Sequence, residues 1–109
     1  MATTYKVLGQ SNPSATTATT LYTVPSATSA VVSTITICNQ ASSAATFRIA
    51  VRPAGATLAA QHYVAYDVTV GASDSTALTL GITLGATDVI TVYGSTATLS
   101  FAAFGSEIA

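Results

Sequence analysis

Hydrophobic and polar residues alternate along most of this chain, with the period of two that is typical of strands with one buried face. In Thr46–Pro53, for example, Phe47, Ile49 and Val51 share one face, and Arg48 lies on the other. β-Branched residues, which pleated surfaces favour, are frequent in these segments. The alternation predicts strands over Ser29–Cys38, Thr46–Pro53, His62–Val70, Leu78–Leu84, Asp88–Tyr93 and Ala97–Phe104.

Turn signals separate several of these segments, at Gly71–Asp74, Gly85–Asp88 and Gly94–Thr96. Each combines glycine with a short polar residue that can bond to its own backbone. Short strands with regular turns predict an all-β fold, a single antiparallel β-sandwich of jelly-roll or immunoglobulin-like type with about seven or eight strands. The residues predicted to face its core are Ile35, Ile37, Phe47, Ile49, Val51, Val68, Leu80 and Leu84.

The N-terminal segment, residues 1–28, differs from the sandwich core predicted over residues 29–109. It contains two short strand-like stretches, Tyr5–Gly9 and Leu21–Val24, joined by the Ser- and Thr-rich stretch Gln10–Thr20. This stretch is either an ordinary surface loop within one domain or a linker that lets the first strand exchange onto a neighbouring subunit.

Charged residues are scarce, since they make up 6% of the 109 residues while 50% are hydrophobic. An ordinary soluble domain has about 25% charged residues, and these help to keep it soluble and monomeric. The composition therefore favours a subunit whose surface contacts other protein. The net charge of −1 gives no basic patch for nucleic acid. We expect no membrane span, and the N-terminus lacks the pattern of a signal peptide.

The residue inventory argues against an enzyme and against a metal or cofactor site. His62 and Cys38 are the single histidine and the single cysteine, fewer than a structural zinc site requires. Asp67, Asp74 and Asp88 stand on separate predicted elements, and Asp74 and Asp88 are expected to close their turns through local hydrogen bonds. A serine nucleophile would need a neighbouring base, and only His62 is available.

Arg48 and Arg52 are the most conspicuous charges, because they share one face of a predicted strand with Ala50 between them. One interpretation is a grip on an acidic partner surface, since arginine pairs bidentately with carboxylates. The other is a solvated sheet face on which an arginine pairs with Asp67. The predicted partner-binding residues are Lys6, Arg48, Arg52, Pro53 and Leu58, of which the last two represent the loop over residues 53–60.

Several stretches resemble small structural proteins that recur in tailed-phage genomes, particularly in phages of cyanobacteria and other aquatic bacteria. The resemblance is carried by Tyr5–Gln10, Thr46–Gly55, Ala77–Val92 and Phe101–Glu107, and so spans most of the chain. It implies a virion component, either a capsid cement (decoration) protein or a tail-associated subunit. No catalytic motif comes with it.

Together these observations predict a non-enzymatic decoration protein that binds the lattice of the major capsid protein and stabilises the head. We expect it to form homo-oligomers, dimers or trimers, and to be made in the host cytoplasm and located in the virion. The alternatives are a tail or fibre-associated subunit that contacts the host surface, a carbohydrate-binding module and a small hydrolase.

Overall fold

The computed structural model describes residues 2–109, so Met1, the first residue of the predicted segment 1–28, lies outside the described residues. Strands account for most of this part of the chain, and two short 3-10 turns, Pro53–Gly55 and Ala60–His62, lie between the fourth and fifth. The strands are β1 (Thr3–Ser11), β2 (Thr19–Thr23), β3 (Ser29–Asn39), β4 (Ala45–Arg52), β5 (Tyr63–Val70), β6 (Ser75–Leu78), β7 (Ile82–Leu84), β8 (Val89–Gly94) and β9 (Leu99–Ile108).

These strands form two antiparallel sheets that pack face to face. The five-stranded sheet has the order β1-β9-β3-β6, with β7 also paired to β3, and the four-stranded sheet has the order β2-β8-β4-β5. Because β6 and β7 both pair with β3, they act as one interrupted edge strand. The strand pairs are therefore nested along the chain: β1 pairs with β9, β2 with β8, β3 with β6 and β7, and β4 with β5. This pairing confirms the predicted antiparallel β-sandwich, in its jelly-roll form.

The core lies between the two sheets and is built from the inward-facing residues of the central strands. Phe47 of β4 meets Phe101 of β9 edge to face across the core, with ring centroids 6.2 Å apart. Of the predicted core residues, Ile35, Ile37, Phe47, Ile49 and Leu84 are buried, and Val51 is half-buried against them. Alternation therefore identified the inward face of β3 and β4 correctly, since each has a neighbouring strand on both sides.

Two predicted core residues, Val68 and Leu80, are instead exposed. Val68 pairs directly with Phe47, so it faces inward, but β5 is an edge strand and its inward face is open on one side. Leu80 is 49% exposed because the segment Leu78–Leu84 is not one strand. Gly81, with φ of +63°, breaks it between β6 and β7, which raises the strand number to nine among the described residues.

A buried asparagine, Asn39, ties together one end of the sandwich. Its side chain is 1% exposed. The amide nitrogen donates to the carbonyl oxygens of Ser43 at 2.9 Å, Gly71 at 3.2 Å and Val70 at 3.3 Å. The amide oxygen accepts from the Ala41 N–H and the Thr98 hydroxyl, each at 3.0 Å. Three chain segments that are distant in sequence are thereby joined by one side chain.

The N-terminal strand pairs within the chain. β1 lies against β9 from Thr3 to Ser11, and β2 joins the other sheet beside β8. The connection between them is held by Asn12, whose side chain donates to the carbonyl oxygens of Ala97 and Leu99. Segment 1–28 thus supplies one strand to each sheet, and exchange of β1 between copies stays a prediction.

Candidate interaction surface

The outward face of the four-stranded sheet carries a tyrosine–arginine cluster, which consists of Arg48, Tyr63, Tyr66 and Tyr93. Arg48 points outward from β4, and its register partner on β8 is Tyr93. The guanidinium carbon lies 4.1 Å from the ring centroid of Tyr66 and 4.3 Å from that of Tyr93. Arg48 is therefore enclosed between two aromatic rings, an arrangement that cation–π attraction favours.

Asp67 completes the environment of Arg48. The Nε atom of Arg48 donates to Oδ1 of Asp67 at 2.7 Å, and Nη2 donates more weakly to Oδ2 at 3.4 Å. This hydrogen bond is the main cause that raises the pKa of Arg48, against a smaller opposing effect of desolvation. The interpretation in which an arginine pairs with Asp67 is thus confirmed for Arg48.

A bulge in β5 allows two consecutive residues, Tyr66 and Asp67, to reach the same guanidinium. Successive side chains of a regular strand point to opposite faces. Here Asp67 has a φ of +51°, and the pairing with β4 shifts register between Phe47 and Ile49. The local change in backbone direction brings the carboxylate to the outward face beside the ring, as bulges do when they re-aim a side chain.

Arg52 holds the loop between β4 and β5. Its Nε atom donates to the Thr91 hydroxyl at 3.0 Å, and Nη1 donates to the Ala56 carbonyl at 3.0 Å. From the other side, Asp88 accepts a hydrogen bond from the Ala54 N–H at 2.8 Å. Arg52 is therefore a structural residue of this loop, whereas Pro53, within the loop, is exposed.

The same loop forms one wall of a shallow pocket that adjoins the cluster. Its lining residues are Leu58, Ala59, Ala60, Tyr63 and Tyr66. The rings of Tyr63 and Tyr66 meet edge to face, with centroids 4.9 Å apart and planes at 87°. Tyr66 remains 56% exposed and Leu58 is half-buried. The cluster and the pocket make one surface of aromatic, apolar and guanidinium groups.

Four of the five predicted partner-binding residues lie on or beside this surface, namely Arg48, Arg52, Pro53 and Leu58. Lys6 lies apart from them, on β1 of the other sheet. Sequence reasoning did not identify Tyr63, Tyr66 and Tyr93 as a cluster. The signal available was the outward position of Tyr93 in its strand. Alternation places Tyr66 on the face of Val68, which was predicted to point inward, and the bulge at Asp67 reverses that orientation.

All seven charged side chains of the chain have a polar partner within the chain. Lys6 pairs with Glu107 at 3.1 Å and Arg48 with Asp67, and Arg52 bonds to its loop. Asp88 accepts from the Gly85 N–H and so closes its turn locally as predicted, whereas Asp74 accepts from the N–H of the next residue, Ser75, at the start of β6. The surface that remains available for contacts is consequently almost free of uncommitted charge.

Glu107 lies where the two sheets meet and couples them. Its carboxylate accepts hydrogen bonds from the Tyr22 hydroxyl at 2.5 Å and from Nζ of Lys6 at 3.1 Å. These bonds, that of Tyr22 first, lower the pKa of Glu107. Burial and the same carboxylate raise the pKa of Tyr22. The ionised form of Glu107 is thus the form that the fold stabilises.

We expect Glu107→Gln to reduce the loss of stability that the protein suffers in acid. A carboxyl with a lowered folded pKa stabilises the fold above its ordinary pKa of 4.5, and this contribution disappears as the pH falls through the folded value. Melting temperatures measured between neutral pH and about pH 2 should therefore fall less steeply in the variant than in the wild type. Tyr22→Phe, which removes only the donor, should give an intermediate slope, and identical slopes in all three proteins would contradict this role.

The single histidine is engaged in the local structure. Nδ1 of His62 accepts the Ala59 N–H at 3.0 Å, which closes the second 3-10 turn. Cys38 is exposed on the outward face of β3 in the five-stranded sheet, whereas His62 immediately precedes β5 of the other sheet. Within residues 2–109, the structure shows no group of three or more His, Cys, Asp or Glu side chains placed to hold a metal ion.

In the same range, no helix has the length and hydrophobicity needed to cross a membrane. A comparison of the chain with models of known families, with curated proteins and with solved structures finds no match.

Proposed function

We propose that this chain is a non-enzymatic structural subunit of a phage virion, which binds the assembled lattice of the major capsid protein and reinforces the head. The observation that carries the proposal is the combination of an exposed tyrosine–arginine cluster with charges that are all engaged within the chain. Tyrosine and arginine dominate the energetics of protein interfaces, whereas unpaired charges are depleted from interface cores. The resemblance of the sequence to small phage structural proteins is the reason for proposing a capsid protein as the partner.

Reinforcement follows from selective binding. A subunit that binds the assembled lattice better than free capsid protein stabilises the assembled state by mass action. Tyr66 is the expected anchor, since its ring is exposed but is held in position by Arg48 and Tyr63. Little side-chain freedom is then lost on binding, which favours affinity. The proposed location of the protein is therefore the virion head.

We expect Tyr66→Ser to lower the affinity for assembled heads by roughly 10- to 100-fold while the domain stays folded. The experiment compares binding to heads depleted of this protein with binding to free capsid protein, and then measures the heat resistance of loaded and depleted heads. Leu80→Ser is the matched control, because Leu80 is similarly exposed at 49% but lies on the edge of the other sheet.

The proposal fails if depleted heads resist heat as well as loaded heads. It also fails if free capsid protein is bound as tightly as the assembled lattice.

The exposed aromatic rings favour one alternative, a carbohydrate-binding subunit that contacts the host surface from the tail or a fibre. The rings of Tyr63 and Tyr66 stand nearly perpendicular, at 87°, so they do not form the flat platform on which a sugar ring stacks. A glycan array tests this alternative directly. Binding of a glycan that Tyr66→Ser abolishes, together with a tail location in purified particles, would replace the capsid assignment.

A further inference from the structure

The free edge of β1 presents unpaired backbone groups in a regular order. Ala2 and Ala109 exchange reciprocal hydrogen bonds, at 3.1 and 2.9 Å, which fixes the phase of the β1–β9 ladder. In an antiparallel ladder, hydrogen-bonded and non-hydrogen-bonded pairs alternate. The backbone N–H and C=O groups of Thr3, Tyr5 and Val7 therefore point away from β9, toward the open edge of the sheet.

The side chains on this edge are also unusual for a surface strand. Tyr5 is 84% exposed and Val7 is 47% exposed, beside a shallow groove lined by Val31 and Phe104. The strands of the five-stranded sheet contain two charged residues, Lys6 and Glu107, and these pair with each other. Lys6 alternates with Tyr5 and Val7 along β1 and is paired with Glu107, so the outward face that Tyr5 and Val7 form carries no unpaired charge.

The other three sheet edges are interrupted or short. β5 carries the bulge at Asp67, β6 and β7 are separated at Gly81, and β2 has five residues with a register shift between Thr20 and Tyr22. Such features block edge-to-edge pairing in natural sheets. β1 keeps one register with β9 from Thr3 to Val7, before its own irregularity. It is therefore the edge that can accept another strand.

We propose that two copies of this chain associate through their β1 strands, antiparallel and around a two-fold axis at Tyr5. In this register Tyr5 pairs with Tyr5 of the second copy, and Thr3 pairs with Val7. Every outward-pointing backbone group of these residues then finds a reciprocal partner, and the two five-stranded sheets become continuous. Lys6 faces Thr4 of the second copy, so the register avoids the like-charge pair that would destabilise it.

A second copy is favoured over a different protein because the edge is complementary to itself. The same three residues supply donors and acceptors on both sides, as a two-fold interface requires. The face beside it has no charge that would need an opposite charge on a partner. Pairing along one strand edge buries less surface than a standard interface, which buries about 1,600 Å² in total, so we expect a weak dimer. This inference is independent of capsid binding.

Sedimentation equilibrium from about 10 µM to about 1 mM tests the proposal. We expect the wild-type protein to shift from monomer to dimer over this range. Tyr5→Lys should abolish the shift, since it places two like charges opposite each other at the axis. Leu80→Lys, which adds the same charge at the opposite edge of the same sheet, should leave dimerisation unchanged.

Tyr5→Pro provides a second variant, because the Tyr5 N–H points outward and proline is tolerated on such an edge position. It should fold and stay monomeric. A wild-type protein that is monomeric at about 1 mM overturns the proposal. So does a dimer that survives Tyr5→Lys, an outcome that strand exchange or another interface would produce.

A cross-linking experiment tests the register itself. In a Cys38→Ser background, Tyr5→Cys should form covalent dimers with a short bifunctional maleimide, because paired Cα atoms lie about 5.5 Å apart. Thr79→Cys at the far edge should not, since about seven strand spacings, roughly 34 Å, separate the two copies there. Equal cross-linking at both positions would contradict the register. Dimerisation can fail while heads are still bound, so this test and that of capsid binding have separate outcomes.

Discussion

Replacing Asn39 by aspartate should destabilise the fold by about 3 kcal/mol or more at neutral pH, and by much less in acid. The Asn39 amide nitrogen donates to three carbonyl oxygens, and the residue is 1% exposed. A carboxylate at this position would face those oxygens as a buried negative charge with no donor to offer. Protonation restores one donor, so the folded state raises the pKa of the introduced carboxyl.

The pH dependence of this variant follows from that raised pKa. Its destabilisation relative to wild type is smallest below the ordinary aspartate pKa, about 3.9, and grows as the pH rises through the folded value. Urea unfolding of both proteins at about pH 4 and pH 7 measures the difference.

Asn12→Asp is the matched control for the Asn39 prediction. The Asn12 amide also donates to two carbonyl oxygens, those of Ala97 and Leu99, but the residue is exposed to water. We expect a smaller and less pH-dependent effect there, because solvent screens the new charge. Equal losses at both positions would show that burial of Asn39 is not the cause.

Alternation predicted the central strands well because burial there is one-sided and complete. Ile35, Ile37, Phe47 and Ile49 each face the opposite sheet and have a neighbouring strand on both sides. A period-two pattern can be satisfied in such a place by only one orientation. The turn-closing hydrogen bond of Asp88 was predictable for the related reason that it is local in sequence, whereas its second bond, from the Ala54 N–H, was not.

The edges of the sheets were not predictable from alternation. Leu78 to Leu84 alternates as regularly as any core strand, yet Gly81 interrupts it and Leu80 points to solvent. An edge strand gains less from burial, so the local backbone preference of glycine decides the conformation. The role of Asn39 was hidden for another reason, since its partners come from three separate parts of the chain.

The tyrosine–arginine cluster was predictable from the sequence only in part. Outward positions of Arg48 and Tyr93 follow from alternation, and pairing of an arginine with Asp67 was one of two interpretations of the sequence. The bulge that brings Tyr66 and Asp67 to the same guanidinium requires a left-handed conformation at an aspartate. Such a conformation is uncommon outside glycine and carries no clear sequence signal. The scarcity of charge was visible in the composition, whereas its complete internal pairing required the structure.

We expect Gly105→Ala to destabilise the domain by about 3 kcal/mol or more and to lower the melting temperature by about 10 °C or more. Gly105 lies in β9 between Lys6 of β1 and Val32 of β3, so both neighbouring backbones are close. A Cβ atom there would overlap the carbonyl oxygen of Val31 and lie 3.0 Å from the Val32 Cα atom. Backbone atoms in the centre of a sheet cannot move aside without breaking the ladder on both sides.

Two further glycines turn this prediction into a ranking. A Cβ on Gly9 would overlap the Leu21 carbonyl oxygen, but Gly9 is on the edge strand β1, which can shift outward, so its loss should be smaller. A Cβ on Gly71 would meet only the Asp74 side chain, at 3.7 Å, so Gly71→Ala should stay within about 1 kcal/mol of wild type. Thermal unfolding of the three variants checks the order. If Gly105→Ala melted at the same temperature as Gly71→Ala, β9 would not approach β3 as closely as the structure shows. The bulged pairing at the centre of the five-stranded sheet would then also be contradicted.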